Sequence, residues 1–121
     1  TRLSKWFPDL PAAQIETLVG YHSELVKFNR VINLVSVTTL RTAENIHFAD
    51  SILAVRLIVP ALVGNQKVWD IGSGNGFPGI VMGILYPDLP ITLVDRDKRK
   101  CEFLKSTASV LKLTNVSVEC K

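Results

Sequence analysis

The chain has 121 residues, 47% hydrophobic and 21% charged, with a formal net charge of +3 at pH 7. That is long enough for one modest domain with its own core, and the balance excludes a disordered or fibrous chain. The longest apolar run, residues 52–63, is broken by Arg56 and Pro60, which excludes a helical membrane span there. The mild positive charge leans toward an anionic partner, but ordinary solubility accounts for it equally well.

Residues 12–32 predict a helix. Ile15, Leu18, Val19, His22, Leu25, Val26 and Ile32 recur mostly at spacings of three and four and make one largely apolar stripe. Residues 39–59 predict a second helix, with Ile46, Ala49, Ile52, Leu53 and Leu57 inward and Pro60 ending it. Residues 63–66, "VGNQ", read as a loop. The pattern then changes. "KVWDI" (67–71) is a short buried strand followed by a glycine-rich loop, and "PGIVMGILY" (78–86) is a helix. Pro78 sits near that helix's first turn, where a missing N–H costs nothing. After the turn "YPDLP" comes a second strand, "ITLVD" (91–95), then a helix over 97–113 with Phe103, Leu104, Ala108 and Leu111 on one face. Asn115 lies in the next turn, and "VSVEC" (116–120) is a third strand.

A helical region over 1–64 thus precedes β-α-β-α-β over 65–121, which implies a parallel sheet with right-handed crossovers and strand order 3-2-1. The first strand, buried in character, would stand at the sheet edge, a pairing hazard. The chain is therefore expected to be the N-terminal portion of a larger domain, inactive alone and able to self-associate through that edge. It opens on Thr1 rather than methionine, as expected of a trimmed or internal boundary.

Cys101 and Cys120 fit no CxxC or Cys/His pattern, and His22 and His47 show no ligand spacing, so no metal is expected. The sequence leaves a disulfide between the two cysteines open, and favours reading them as small hydrophobes in a reduced, cytoplasmic setting. Cys101, inside a helix and beside no histidine, reads as packing rather than as a nucleophile. His47, Asp50 and Ser51, at i, i+3 and i+4, share a helix face; they border a ligand site or form a polar network. The cluster "RDKRK" (96–100) suits phosphate contacts or a solvated helix start, and its cations oppose the helix dipole.

The loop "DIGSGNGFPGI" (70–80) holds two overlapping patterns. Gly74, Gly76 and Gly79 satisfy GxGxxG, the dinucleotide fingerprint, but Gly74 follows the strand late and Pro78 falls between the second and third glycines. Asp70, Gly72, Gly74 and Gly76 form D-x-G-x-G-x-G, which resembles motif I of class I S-adenosylmethionine-dependent methyltransferases. That cofactor carries no pyrophosphate to seat on a helix N-terminus. Its ammonium and sulfonium suit an acidic strand end, and glycines allow close backbone approach. Asp95 closes the second strand, 19 residues beyond Gly76. A carboxylate there can accept both ribose hydroxyls in either cofactor class. A tight βα turn with a solvated Asp95 is the bland alternative.

"DIGSGNGFPGI" with "LVDRDKRKCEFL" resembles the ribosomal RNA small-subunit methyltransferase G family, also called glucose-inhibited division protein B. Phe77, Pro78 and Gly79 match the distinctive tail of the family's loop. "FNRVINLVSV" resembles its W-N-x-x-x-N-L-T-S through Asn29, Asn33, Leu34 and Ser36, and "HFADSI" its H-x-x-D-S-L through His47, Asp50 and Ser51. Phe28 stands where the family has Trp, Val35 where it has Thr, and Arg99-Lys100 reverses the usual Lys-Arg; Ile46 stands where a basic residue often precedes the histidine. The resemblance implies a Rossmann-like α/β fold, its N-terminal half with three parallel strands, and S-adenosylmethionine as cofactor. It implies Asp70, Gly72, Ser73, Gly74, Gly76, Phe77 and Asp95 as cofactor-binding residues. The implied reaction is methyl transfer to N7 of a guanine in small-subunit ribosomal RNA. Guanine N7 offers a free lone pair, so the lack of a catalytic triad is no objection. The alternatives are an NAD-binding oxidoreductase half-domain and a non-catalytic nucleotide-binding module.

Overall fold

Three short parallel strands form the sheet: β1 (Val68–Ile71), β2 (Ile91–Asp95) and β3 (Val116–Cys120), in the order β1-β2-β3. The computed structural model describes residues 2–29, 48–62 and 67–121. Val68 pairs with Ile91, and Ile91 with Val116, so the three strands start level. Ahead of the sheet lie α1 (Arg2–Trp6), α2 (Ala12–Asn29) and α3 (Ala49–Ile58), the last running into a single 3₁₀ turn at Val59–Ala61. The crossover helices are α4 (Gly79–Leu85) and α5 (Lys98–Val110). This is the α/β, Rossmann-like β-α-β-α-β unit that the sequence predicts, in the expected strand order.

Gly79 on α4 packs against Asp70 and Leu93, and Gly83 against Val116, so α4 lies on the face carrying those side chains. Helix α5 packs over β2 and β3, and α2 and α3 stack on α4. Every residue of α4, "GIVMGIL", is buried, because the sheet lies beneath it and helices lie above. Trp69 and Ile71 point to the opposite face and stay 51% and 73% exposed. Among the described residues β1 is an edge strand, as expected.

Asn115 joins the turns. Its Nδ2 donates to the carbonyls of Gly83 (3.3 Å), Tyr86 (3.1 Å) and Leu89 (3.0 Å). One side chain thereby satisfies the C-terminal end of α4 and the turn that feeds β2, where helix carbonyls lack internal partners.

The structure corrects several expectations about the helical region. Helix α1 falls outside the predicted elements; its Leu3 and the following Phe7 are buried in the core. The buried face of α2 runs through Ile15, Leu18, Tyr21, Glu24 and Leu25, while Val19 is exposed. The face is rotated toward Tyr21 because that ring fills the space between α2 and the glycine loop. In α3 the core side is Phe48, Ser51, Ile52 and Val55, and Leu53 and Leu57 are exposed. Pro60 ends the α-helical hydrogen bonding, with the 3₁₀ turn following Ile58. The expectations for Ile32, Asn33, Leu34, Val35, Ser36, Ile46 and His47, and for the loop at 63–66, lie outside the described residues. Asp9 and Arg56 pair at 2.8 Å, and Arg56 stacks over Phe7 at 5.2 Å, tying the α1–α2 turn to α3.

Asn115→Ala takes a donor from three carbonyls, of which Tyr86 O keeps the amide of Leu89 at 3.0 Å. It is expected to lower stability by about 1–3 kcal/mol, seen as a lower urea midpoint with an unchanged denaturant slope.

Candidate functional site

The glycine loop follows β1 and turns back over the ends of the strands. The amides of Gly72 and Ser73 donate to Val94 O at 2.7 and 3.0 Å, extending the β1–β2 ladder past the last paired residues. The loop then closes on itself, with Gly76 N donating to Ser73 O at 2.8 Å. Gly72, Gly74 and Gly76 have φ of 74°, 53° and 93°, the left-handed region where an L side chain is strained. The Phe77–Pro78 peptide is cis, and Pro78 O accepts the amide of Met82 at 2.9 Å, opening α4.

Asp95, at the end of β2, is the hub. Its Oδ2 accepts from Gly74 N and its Oδ1 from Asp97 N, both at 2.9 Å. One carboxylate thus joins the glycine loop to the β2–α5 turn. Partial burial alone would raise its pKa. The amides of Asp97 and Gly74, the charge of Lys100 and the backbone at Arg96 outweigh that, and hold the group below the ordinary carboxylate value. Asp97 in turn caps α5, its Oδ1 accepting from Arg99 N at 2.9 Å and Lys100 N at 3.3 Å.

Beside Asp95 opens a cleft of about 490 Å³, lined by Gly72, Val94, Arg96, Asp97, Lys100 and Lys121 among others. It lies at the carboxyl ends of β1 and β2, where open α/β sheets bind ligands. Of the residues singled out by sequence, Gly72 and Asp95 border the cleft. Gly74 is held by Asp95. Ser73 is buried, and its hydroxyl donates to Asp70 O at 2.6 Å. Gly76 and Phe77 face the helical layer, with Phe77 packed on Tyr21 and Phe48 at 5.1 and 5.2 Å.

Asp70 lies under the loop and not in the cleft. A Cβ on Gly79 would come within 2.5 Å of Asp70 Oδ2 and overlap Leu93 Cδ2, so only glycine lets α4 start this close to β1. Burial pushes the Asp70 carboxyl above its ordinary value, against the pull of the Ser73 hydroxyl and the Gly79 amide. Its Oδ2 is buried without a hydrogen-bond partner.

Sequence reasoning took Lys100 only as part of the cationic cluster 96–100, and missed the capping role of Asp97 and the contact of Tyr21 with the loop. Asp97 carries a legible signal, an N-cap residue directly before a helical run. Tyr21 carries none, since its partner Asn75 lies 54 residues away. Asp50 and Ser51 sit in the first turn of α3, with Ser51 buried. Cys101 is buried, and its Sγ donates to Asp95 O at 3.2 Å, a packing position. Burial and the neighbouring Cys120 raise its thiol to about 11, far from nucleophilic.

A parallel sheet whose first βα loop is glycine-rich and whose second strand ends in a carboxylate facing that loop defines a Rossmann-like fold, here in its class I methyltransferase form as the family match shows. Residues 14–121 match the family described as rRNA small subunit methyltransferase G, and the chain belongs to it. It is 49% identical over 118 residues to "Ribosomal RNA small subunit methyltransferase G 3" of Bdellovibrio bacteriovorus, covering 98% of this chain and 53% of that protein. Relatives named "Ribosomal RNA small subunit methyltransferase G" are 39% identical in Paracoccus denitrificans (89% of this chain, 54% of the relative) and 40% in Laribacter hongkongensis (93% and 52%). The chain spans about half the length of the curated relatives it matches. No helix among the described residues is long and apolar enough to cross a membrane.

The two aspartates predict opposite acid limbs. Asp95, lowered in the folded state, adds stability above its unfolded value of about 3.9, and loses it as the pH falls through the folded value. Asp70, raised in the folded state, costs stability at neutral pH, and that cost is relieved as the pH falls through its folded value. In urea titrations from pH 7 downward, the advantage of wild type over Asp95→Asn should shrink. Wild type should gain relative to Asp70→Asn. Separately, Gly79→Ala should cost about 1–3 kcal/mol through overpacking, read in the same titration at pH 7.

Proposed function

We propose that this chain is the cofactor-binding part of an S-adenosylmethionine-dependent methyltransferase that methylates N7 of a guanine in small-subunit ribosomal RNA, in the cytoplasm. The names of its relatives support the substrate class. The observation that supports a nucleoside cofactor is the pairing of Asp95 with the glycine loop at the cleft. Asp95 uses two of its lone pairs on backbone amides and keeps others for the ribose hydroxyls of a nucleoside. The exposed Gly72 leaves the wall without a side chain where the cofactor's amino-acid tail would lie, and Asp70, Ser73, Gly74, Gly76 and Phe77 hold the loop in shape.

A second reading, an NAD-binding half-domain, asks more of α4. A dinucleotide seats its pyrophosphate on the helix N-terminus. Here the buried Asp70 carboxylate already lies against Gly79, the first residue of α4, where its negative charge opposes a second anion. That favours a cofactor with a cationic tail.

When bound, S-adenosylmethionine would supply an electrophilic methyl group on sulfur, and guanine N7 offers a free lone pair that needs no base. This chain's residues would then have positioning to do. The carboxylate of Asp95 would hold the ribose of the cofactor. The exposed cations Arg96, Lys98 and Arg99 beside the cleft offer phosphate contacts to the RNA.

The test uses the complete polypeptide that carries this sequence. It should bind S-adenosylhomocysteine more tightly than NADH in calorimetric titrations, and transfer labelled methyl from S-adenosylmethionine to small-subunit RNA at a guanine N7. Asp95→Ala should weaken S-adenosylhomocysteine binding about tenfold or more, as expected for losing charged hydrogen bonds. Tighter NADH binding sinks the reading, and binding of neither ligand favours a non-catalytic module.

A further inference from the structure

We propose that Tyr21, on the N-terminal helix α2, is a positioning residue that sets the shape of the cofactor loop by holding the main-chain carbonyl of Asn75. The inference rests on the cofactor reading above and adds a residue outside the loop to it.

Tyr21 is fully buried. Its ring stacks on Phe48 at 5.3 Å and meets Phe77 at 5.1 Å and Phe103 at 6.5 Å. Any aromatic ring would serve that packing. The hydroxyl does something a phenylalanine could not: it donates to Asn75 O at 2.5 Å, across the helix–loop boundary. The contact falls where the loop's own bonds are local, Gly76 N to Ser73 O at 2.8 Å and Phe77 N to Asn75 Oδ1 at 3.3 Å. On the sheet side Gly72, Ser73 and Gly74 are tied to Val94 and Asp95. From Asn75 onward the loop leaves the sheet. Tyr21 is the tie from the helical side.

The geometry is close enough to dictate sequence. A Cβ on Gly76 would lie 2.8 Å from Tyr21 Oη, so the hydroxyl occupies the space that a side chain there would need. Burial, with the charge of Asp70 adding to it, pushes the phenol well above its ordinary value, so the hydroxyl stays protonated and donates. A loop with three left-handed glycines has many alternative shapes when unbound. A fixed carbonyl between Gly74 and Gly76 removes many of them before ligand arrives, which raises affinity by preorganisation.

The experiment compares wild type, Tyr21→Phe and Phe28→Leu in the complete polypeptide. Tyr21→Phe keeps the ring and removes the hydrogen bond. Phe28→Leu trims the same aromatic cluster at its edge-on contact with Phe103 (5.4 Å), away from the loop. Tyr21→Phe should raise the S-adenosylhomocysteine Kd about fivefold to tenfold. It should also speed amide exchange at Gly76 and Phe77 in the ligand-free protein by a similar factor. Phe28→Leu should lower the thermal midpoint and leave both readouts at wild-type values. Wild-type Kd and exchange in Tyr21→Phe overturn the role of Tyr21 and leave the cofactor reading standing. Failure of wild type itself to bind S-adenosylhomocysteine overturns both.

Discussion

The bridge from Asp95 to two backbone amides is the constraint on which this site depends. A glycine-rich loop has little to define it; its residues give up side-chain contacts in exchange for access. Asp95 supplies definition from the neighbouring strand, one oxygen on Gly74 and the other on Asp97. Because β1 and β2 pair in level register, the end of one strand is delivered to the loop of the other. Asp97 passes the arrangement on by capping α5. The cleft wall and the helix behind it are thus set by two acidic side chains at the end of one strand.

Around that bridge the molecule is layered by size. Glycine at position 79 lets α4 descend onto β1 and β2, and Asn115 fastens the far end of α4 to the turn leading into β2. The result is a short helix fixed at both ends. The N-terminal helices then close over α4 with an aromatic cluster of Tyr21, Phe48, Phe77 and Phe103. Phe77 belongs to the loop, so helical packing and loop shape are one problem. The family match, over residues 14–121, accordingly takes in helices that carry no motif glycine.

Strands, loop and crossover helices were legible because each has a local signal: short apolar runs, a glycine cluster, and Phe103, Leu104 and Ala108 on one face of a helical run. The helical region was less legible for physical reasons. In α3 the core accepts Ser51 and turns Leu53 and Leu57 outward, so hydrophobicity alone points to the wrong face. In α2 the decisive residue is a tyrosine whose partner is far along the chain. Helix α1 is only five residues long and is held by Leu3 and Phe7 rather than by its own periodicity. The position of Asp70 had a signal that composition hides. In a strand it shares a face with Val68, opposite Trp69 and Ile71, so strand parity alone directs its carboxylate under the helix and away from solvent.

That same parity leaves Trp69 on the open side of the sheet, about half exposed, in a chain with two tryptophans. An indole in water emits at longer wavelength than one in an apolar setting. The other, Trp6, lies on α1, in the helical region ahead of the sheet. A polypeptide laid across the bare face of the sheet therefore covers Trp69 and moves its emission to the blue, over a contribution from the equally exposed Trp6 that stays in place. The face opposite the helices carries its own optical reporter of being covered.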